Sequence, residues 1–198
     1  MADTLTKVRR TKLGATEPYY AVVTTENKGQ KPTYSKPEAF SEFVSLTENL
    51  QYAEAAFNSN NRESESAKIF KRCDLTFGNK GLSYETMKNV FGATLGTDGK
   101  LTLGGADVPP RIGFGFYRVM EDNGARYYEA VVYPLCKAYV GNESDQTMGD
   151  NLTYTGGENA ITAYALDDES KTWKEMQIFS KETDAKNWVV TQLGGSAT

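Results

Sequence analysis

The sequence predicts a single, mainly β domain, on three observations. Aromatic and β-branched residues alternate with polar or small ones at period two in several runs, which is the strand period. The 198 residues include twelve Tyr, nine Phe and eighteen Gly, a composition of strands joined by many turns. Apolar residues recur at helical spacing in only two short stretches, and the length fits one domain with a sizeable core.

Met1 to Pro18 is basic, Thr-rich and aperiodic, and is expected to be a flexible N-terminal arm that orders only against a neighbour. The β domain then runs over residues 19–180. Tyr19 to Thr25 makes a first strand, and Glu26 to Pro37, with Gly29, Pro32 and Pro37, a turn-rich connection. Val44, Leu46, Leu50 and Tyr52 mark one face of a second strand, interrupted by Glu48. Ala53 to Ser66, AEAAFNSNNRESES, reads as a long polar loop, and loops of this length within a compact domain are uncommon unless functional or disordered.

Ile69, Cys73, Leu75 and Phe77 alternate as another strand, closed by Gly78 to Gly81. Ser83 offers an N-cap to a short helix with Tyr84, Met87, Val90 and Phe91 on one stripe, stopped by Gly92. Asp98-Gly99 between Leu95 and Leu101 predicts a small hairpin. The strongest signal is Val108 to Val140. Ile112, Phe114 and Phe116 alternate with Arg111, Gly113 and Gly115, and Tyr127 to Leu135 alternate again beyond Asn123-Gly124, a dipeptide suited to the positive backbone angles of a tight hairpin turn. The two glycines between aromatics mark close packing, a bulge or sheet curvature.

A polar loop over Gly141 to Asn151 follows. Ile161, Ala163 and Ala165, the turn Asp167 to Thr172, and a strand with Trp173, Met176 and Ile178 predict a second, late hairpin. Residues 181–198 read as a C-terminal helix and tail, capped at Thr183 or Asp184, with Ala185, Trp188 and Val189 on one side.

Charge narrows the function. Acids outnumber bases by 26 to 22, but Met1 to Lys36 holds seven bases against three acids, so the remainder is distinctly acidic. A broad basic face that grips phosphate is therefore not expected, and duplex DNA should bind weakly. Passage of DNA through a channel is compatible with this charge, since adhesion to the backbone would hinder it. The start of the chain has no apolar core of a secretory signal, and no run of ~18 apolar residues offers a membrane span, so assembly in the cytosol is expected.

Chemistry is scarce. There is no histidine, so His-dependent Ser or Cys triads and the commonest zinc ligand are out of reach. Cys73 and Cys136 fall in strand-like runs and read as small buried hydrophobes. Asp167-Asp168 sits in a turn without calcium-loop spacing, and Gly113-Phe114-Gly115 opens a hairpin where a dinucleotide fingerprint needs a helix. No catalytic residue, metal site or cofactor is expected, and the chain reads as a non-enzyme.

The hairpin residues also carry a family likeness. Pro109-Pro110, the aromatic strand with two glycines, Asn123-Gly124, Arg126-Tyr127-Tyr128 and the Val-rich strand resemble the major tail protein, or tail tube subunit, family of long-tailed, siphovirus-type phages. Tyr19 to Val23, Leu46 to Tyr52, Phe91-Gly92, and Asn159 to Leu166 with Trp173 match in order and spacing, so the resemblance spans about Tyr19 to Trp173. It implies a β-sandwich or barrel-like tail tube fold with a flanking short helix, assembled into stacked, usually sixfold rings in the virion tail. Implied partners are other copies of the chain, tape measure and terminator proteins, and double-stranded DNA passing through the lumen. The tube of a contractile tail or of a phage-derived bacteriocin is the alternative; a carbohydrate-binding or adhesin β-sandwich fits less well.

The same resemblance makes Ala53 to Ser66 an inter-subunit element, with Ala53, Phe57, Asn58, Asn60, Arg62, Glu63 and Glu65 as candidate interface residues. Aromatics and Arg carry interface energy, so Phe57 and Arg62 are its suited anchors. Lys7, Arg9 and Arg10 in the arm are expected to meet acidic surfaces of neighbouring subunits.

Overall fold

The computed structural model describes residues 5–9, 11–59, 62–142 and 156–196, with backbone only for 55–59 and 62–67. The chain is mainly β, as its periodicity predicts. In chain order the strands are β1 (Thr11–Thr25), β2 (Thr33–Tyr34), β3 (Glu38–Ala39), β4 (Phe43–Ser59) and β5 (Arg62–Asn79), followed by helix α1 (Tyr84–Phe91). Then come β6 (Thr94–Leu95), β7 (Leu101–Thr102), β8 (Arg111–Asp122), β9 (Ala125–Tyr139), β10 (Gly157–Ala163), β11 (Glu175–Phe179) and helix α2 (Glu182–Gln192). One antiparallel sheet runs in the order β2-β1-β8-β9-β10-β5-β4, with β3 added to β1 and β11 to β9.

The hairpin β8–β9 organises the rest. Asn123 and Gly124 take φ of 52° and 80°, and Asp122 pairs with Ala125, so the turn is the expected two-residue one. The register shifts between Ile112 and Phe114, where β9 carries an extra residue beside Pro134. A bulge is where a strand tolerates proline, which has no N–H to give the ladder.

Both faces of β8 are buried. Ile112, Phe114 and Phe116 join Tyr20, Phe40, Phe77, Val131 and Tyr133 in the larger core, with Phe40 meeting Phe77 and Phe114 edge-on at 5.2 and 5.7 Å. On the other face, Ala21, Tyr117, Ala130 and Val132 pack under Ala185, Val189 and Leu193 of and after α2. The two glycines make room for that helix: a Cβ on Gly115 would stand 2.9 Å from Val189 and Val132, and one on Gly113 would stand 2.6 Å from Leu193. α1 starts at Ser83, whose hydroxyl accepts from the Thr86 N–H, and ends at Gly92 with φ of 76°. The small hairpin is present as β6 and β7.

Four expectations need correction. The expected arm over Met1 to Pro18 is in part a strand, because β1 begins at Thr11 and pairs with β8 as far as Glu121. Register shifts at Lys12/Gly14 and Thr16/Tyr19, with φ of 48° at Glu17, erase the period-two signal there. The expected loop Ala53 to Ser66 is largely a two-stranded ribbon: β4 and β5 stay paired from Ala53↔Ile69 to Ser59↔Arg62. Backbone pairing needs no apolar alternation where there is no sheet face to bury.

The late hairpin is not one. β10 pairs with β5 and β9, and β11 pairs with β9, so both stack along the same long strand. Finally, α2 starts two or three residues earlier than expected, with Lys181 at its N-cap and no side-chain cap bond.

Candidate functional site

Period two places Arg118 on the inward side of β8, after Ile112, Phe114 and Phe116, and Glu129 on the inward side of β9, before Val131 and Tyr133. The two are cross-strand partners in the register, and Arg118 Nε lies 3.2 Å from Glu129 Oε2. Both side chains are almost wholly removed from water, at 6% and 2% exposure. Glu48 on β4 approaches from the opposite side, its Oε1 3.7 Å from Arg118 Nη2. Lys174, just before β11, donates to both Glu48 oxygens at 2.6 and 2.7 Å.

Aromatic rings complete the cluster. The Lys174 ammonium lies 5.3 Å from the centre of the Tyr133 ring and 5.7 Å from that of Trp173, and the Arg118 guanidinium lies 5.3 Å from that of Phe116. Burial alone would push the Glu48 carboxyl up, but the Lys174 ammonium, helped by the Tyr133 hydroxyl and Arg118, outweighs it and holds Glu48 below the ordinary carboxylate range. Burial pushes the Tyr133 hydroxyl far up, and the charge on Glu48 adds to this. Arg118 Nε and Nη2 and the Tyr133 hydroxyl are buried without a well-formed hydrogen bond, so Arg118 is held to Glu129 and Glu48 by charge more than by aligned hydrogen bonds.

This cluster is the floor of a cleft of about 610 Å³. Its walls are Lys12 to Ala15 of β1 and Phe43, Leu46, Thr47 and Glu48 of β4. Among the described residues, β4 pairs only with β5, and β1 over Thr11–Thr16 pairs only with β8. Two strand edges with unpaired backbone groups therefore flank the cleft. Leu13 on one rim is 55% exposed and Val44 on β4 is 63% exposed.

The charges of the cluster are paired to one another, and among the described residues no group of three or more His, Cys, Asp or Glu could hold a metal ion. No helix among them is long and apolar enough to cross a membrane.

The residues anticipated as interface lie elsewhere. Ala53 is exposed on the ribbon, and the backbone pairs Phe57 with Glu65, Asn58 with Glu63 and Ser59 with Arg62. Lys7 and Arg9 are exposed, and the Arg9 N–H donates to Asp122 Oδ2 at 3.2 Å beside the β8–β9 turn. Asn60 and Arg10 lie outside the described residues. Ala53, Lys7 and Arg9 are thus surface residues, and none of the three lines the cleft.

Sequence reasoning missed Arg118, Glu129 and Lys174. The signal was present for two of them: a charge at an inward position of an otherwise apolar alternating strand needs a buried partner. Glu48 interrupting the face of β4 is the same signal. Lys174 could not be found this way, because only the tertiary fold brings it to β4.

No protein-family model matches this chain, and it shows no significant sequence similarity to a curated protein.

Proposed function

We propose that the chain is a structural subunit that polymerises into stacked rings, forming the tube of a phage tail through which DNA is ejected, and that it catalyses no reaction. The observation that carries this reading is the pair of open edges together with the ribbon. Unpaired edges are a hazard for a monomer and a resource for a subunit, because a neighbour's strand can complete the ladder. A two-stranded ribbon is marginal on its own, so β4 and β5 beyond Tyr52 gain from a surface that the described chain does not supply. The likeness of the hairpin and its flanking strands to the tail tube family supplies the specific assembly, with sixfold rings, tape measure and terminator as partners.

The acidic body supports passage of DNA without tight binding. Light scattering and negative-stain microscopy of the purified protein, with and without tail-assembly partners, test the reading. Rings or tubes are expected; a strictly monomeric species at high concentration under both conditions would overturn it.

A further inference from the structure

We propose that the cleft between β1 and β4 receives the acidic ribbon of a second copy of this chain, whose carboxylates meet Lys12 while its backbone lies along the open edges. The assignment rests on the assembly reading above and adds the receptor to it. Charge selects the occupant. The cleft is lined by Lys12, Arg118 and Lys174 against the single carboxylate of Glu48, and it stays net positive when Glu129 beneath Arg118 is counted. Residues 53–66 carry Glu54, Glu63 and Glu65 against Arg62, so they are net negative.

Shape selects it as well. The walls are strand edges, which bind extended backbone, and the ribbon is extended backbone in which, among the described residues, neither strand has a partner on its outer side. Arg118 is buried with Nε facing Glu129 at 3.2 Å and Nη2 facing Glu48 at 3.7 Å, so the exposed Lys12 on the β1 wall is the cation that an entering carboxylate meets. Leu13 on the β1 wall is exposed and gives an apolar rim against which Phe57 of the second copy can close.

The test uses full-length chains carrying single cysteines at exposed or ribbon positions. Leu13→Cys in one population is mixed with Ser64→Cys in another under mild oxidation. A disulfide-linked dimer is expected in the mixture and not from either variant alone. Lys12→Glu should slow its formation about tenfold, as like charges at an interface do, and Glu63→Lys with Glu65→Lys in the ribbon partner should restore the rate to within about twofold. Circular dichroism checks that each variant is folded.

Tubes that grow without the mixed dimer would overturn the cleft assignment and leave the assembly reading standing. A chain that stays monomeric and forms no mixed dimer would overturn both. Cross-linking that Lys12→Glu slows but the ribbon reversal does not restore would mean that another anionic group fills the cleft, and the assignment of the ribbon would fail.

Discussion

Glu48 is the residue on which the buried charges depend. Without it, Lys174 loses both its hydrogen bonds to a carboxylate and Arg118 loses one of its two anions. Glu48→Gln should therefore destabilise the fold by about 3 kcal/mol in urea denaturation, the low end for a broken buried pair, because the carboxylate borders an open cleft. The pH dependence has a definite sign. A carboxyl held below its unfolded value adds stability above the unfolded pKa of about 4.3, and that stability is lost as pH falls through the lower folded value. The parental protein should weaken below about pH 4, and Glu48→Gln should flatten that part of the curve. The cysteines allow a second prediction at this scale. Cys73 and Cys136 both pair with Ala163, from opposite sides of β10, which puts their Cα atoms roughly 9–10 Å apart, two strand spacings. A disulfide needs less than about 7 Å, and burial pushes the Cys73 thiol up to about 11. Neither thiol should react with a thiol reagent until the protein is unfolded; rapid modification of the native protein would show that this part of the sheet opens.

Among the elements, those with one buried face and local stop signals were legible from sequence. The β8–β9 hairpin, with Asn123-Gly124, and α1, between Ser83 and Gly92, are where they were expected because both are specified by turn and cap chemistry within a few residues. What failed was set by distant partners. The first part of β1 is a strand because β8 extends beside it, and the bulge between Gln51 and Tyr52 reverses the faces of β5, so that Phe70 packs on the core while Ile69 is 68% exposed. The candidate site was half legible in the same way: Glu48, Arg118 and Glu129 are charges out of place in strand patterns, whereas the cleft exists only because β1 and β4 end side by side in the fold. The ribbon is a pair of strands, β4 and β5, and a two-stranded ribbon is marginal on its own. Its backbone amides, over 53–59 and 62–69, should exchange with solvent quickly in the monomer and slowly after assembly, while those of β8 and β9 stay protected in both. Hydrogen exchange on the two states measures this, and equal ribbon protection before and after assembly would show that it makes no new contact.

At the scale of the molecule, two cores, one inside the sheet and one under α2, hold the described strands and helices together. In the proposed assembly the ribbon would be ordered against a neighbour, at a cost in conformational entropy that the contact must exceed. That balance favours growth at an end that already presents a complete ring over spontaneous nucleation in solution. A Phe57→Ala, Arg62→Ala double substitution removes the ribbon's aromatic and its one guanidinium, the residue types that dominate interface energies. It should leave the circular dichroism spectrum and the urea midpoint of the monomer unchanged and slow polymerisation, followed by light scattering, by at least about tenfold, since a single interface anchor often contributes 2 kcal/mol or more. If both anchors are lost and tubes still grow at the parental rate, the ribbon is not what joins the subunits, and the open edges of β1 and β4 must carry the assembly alone.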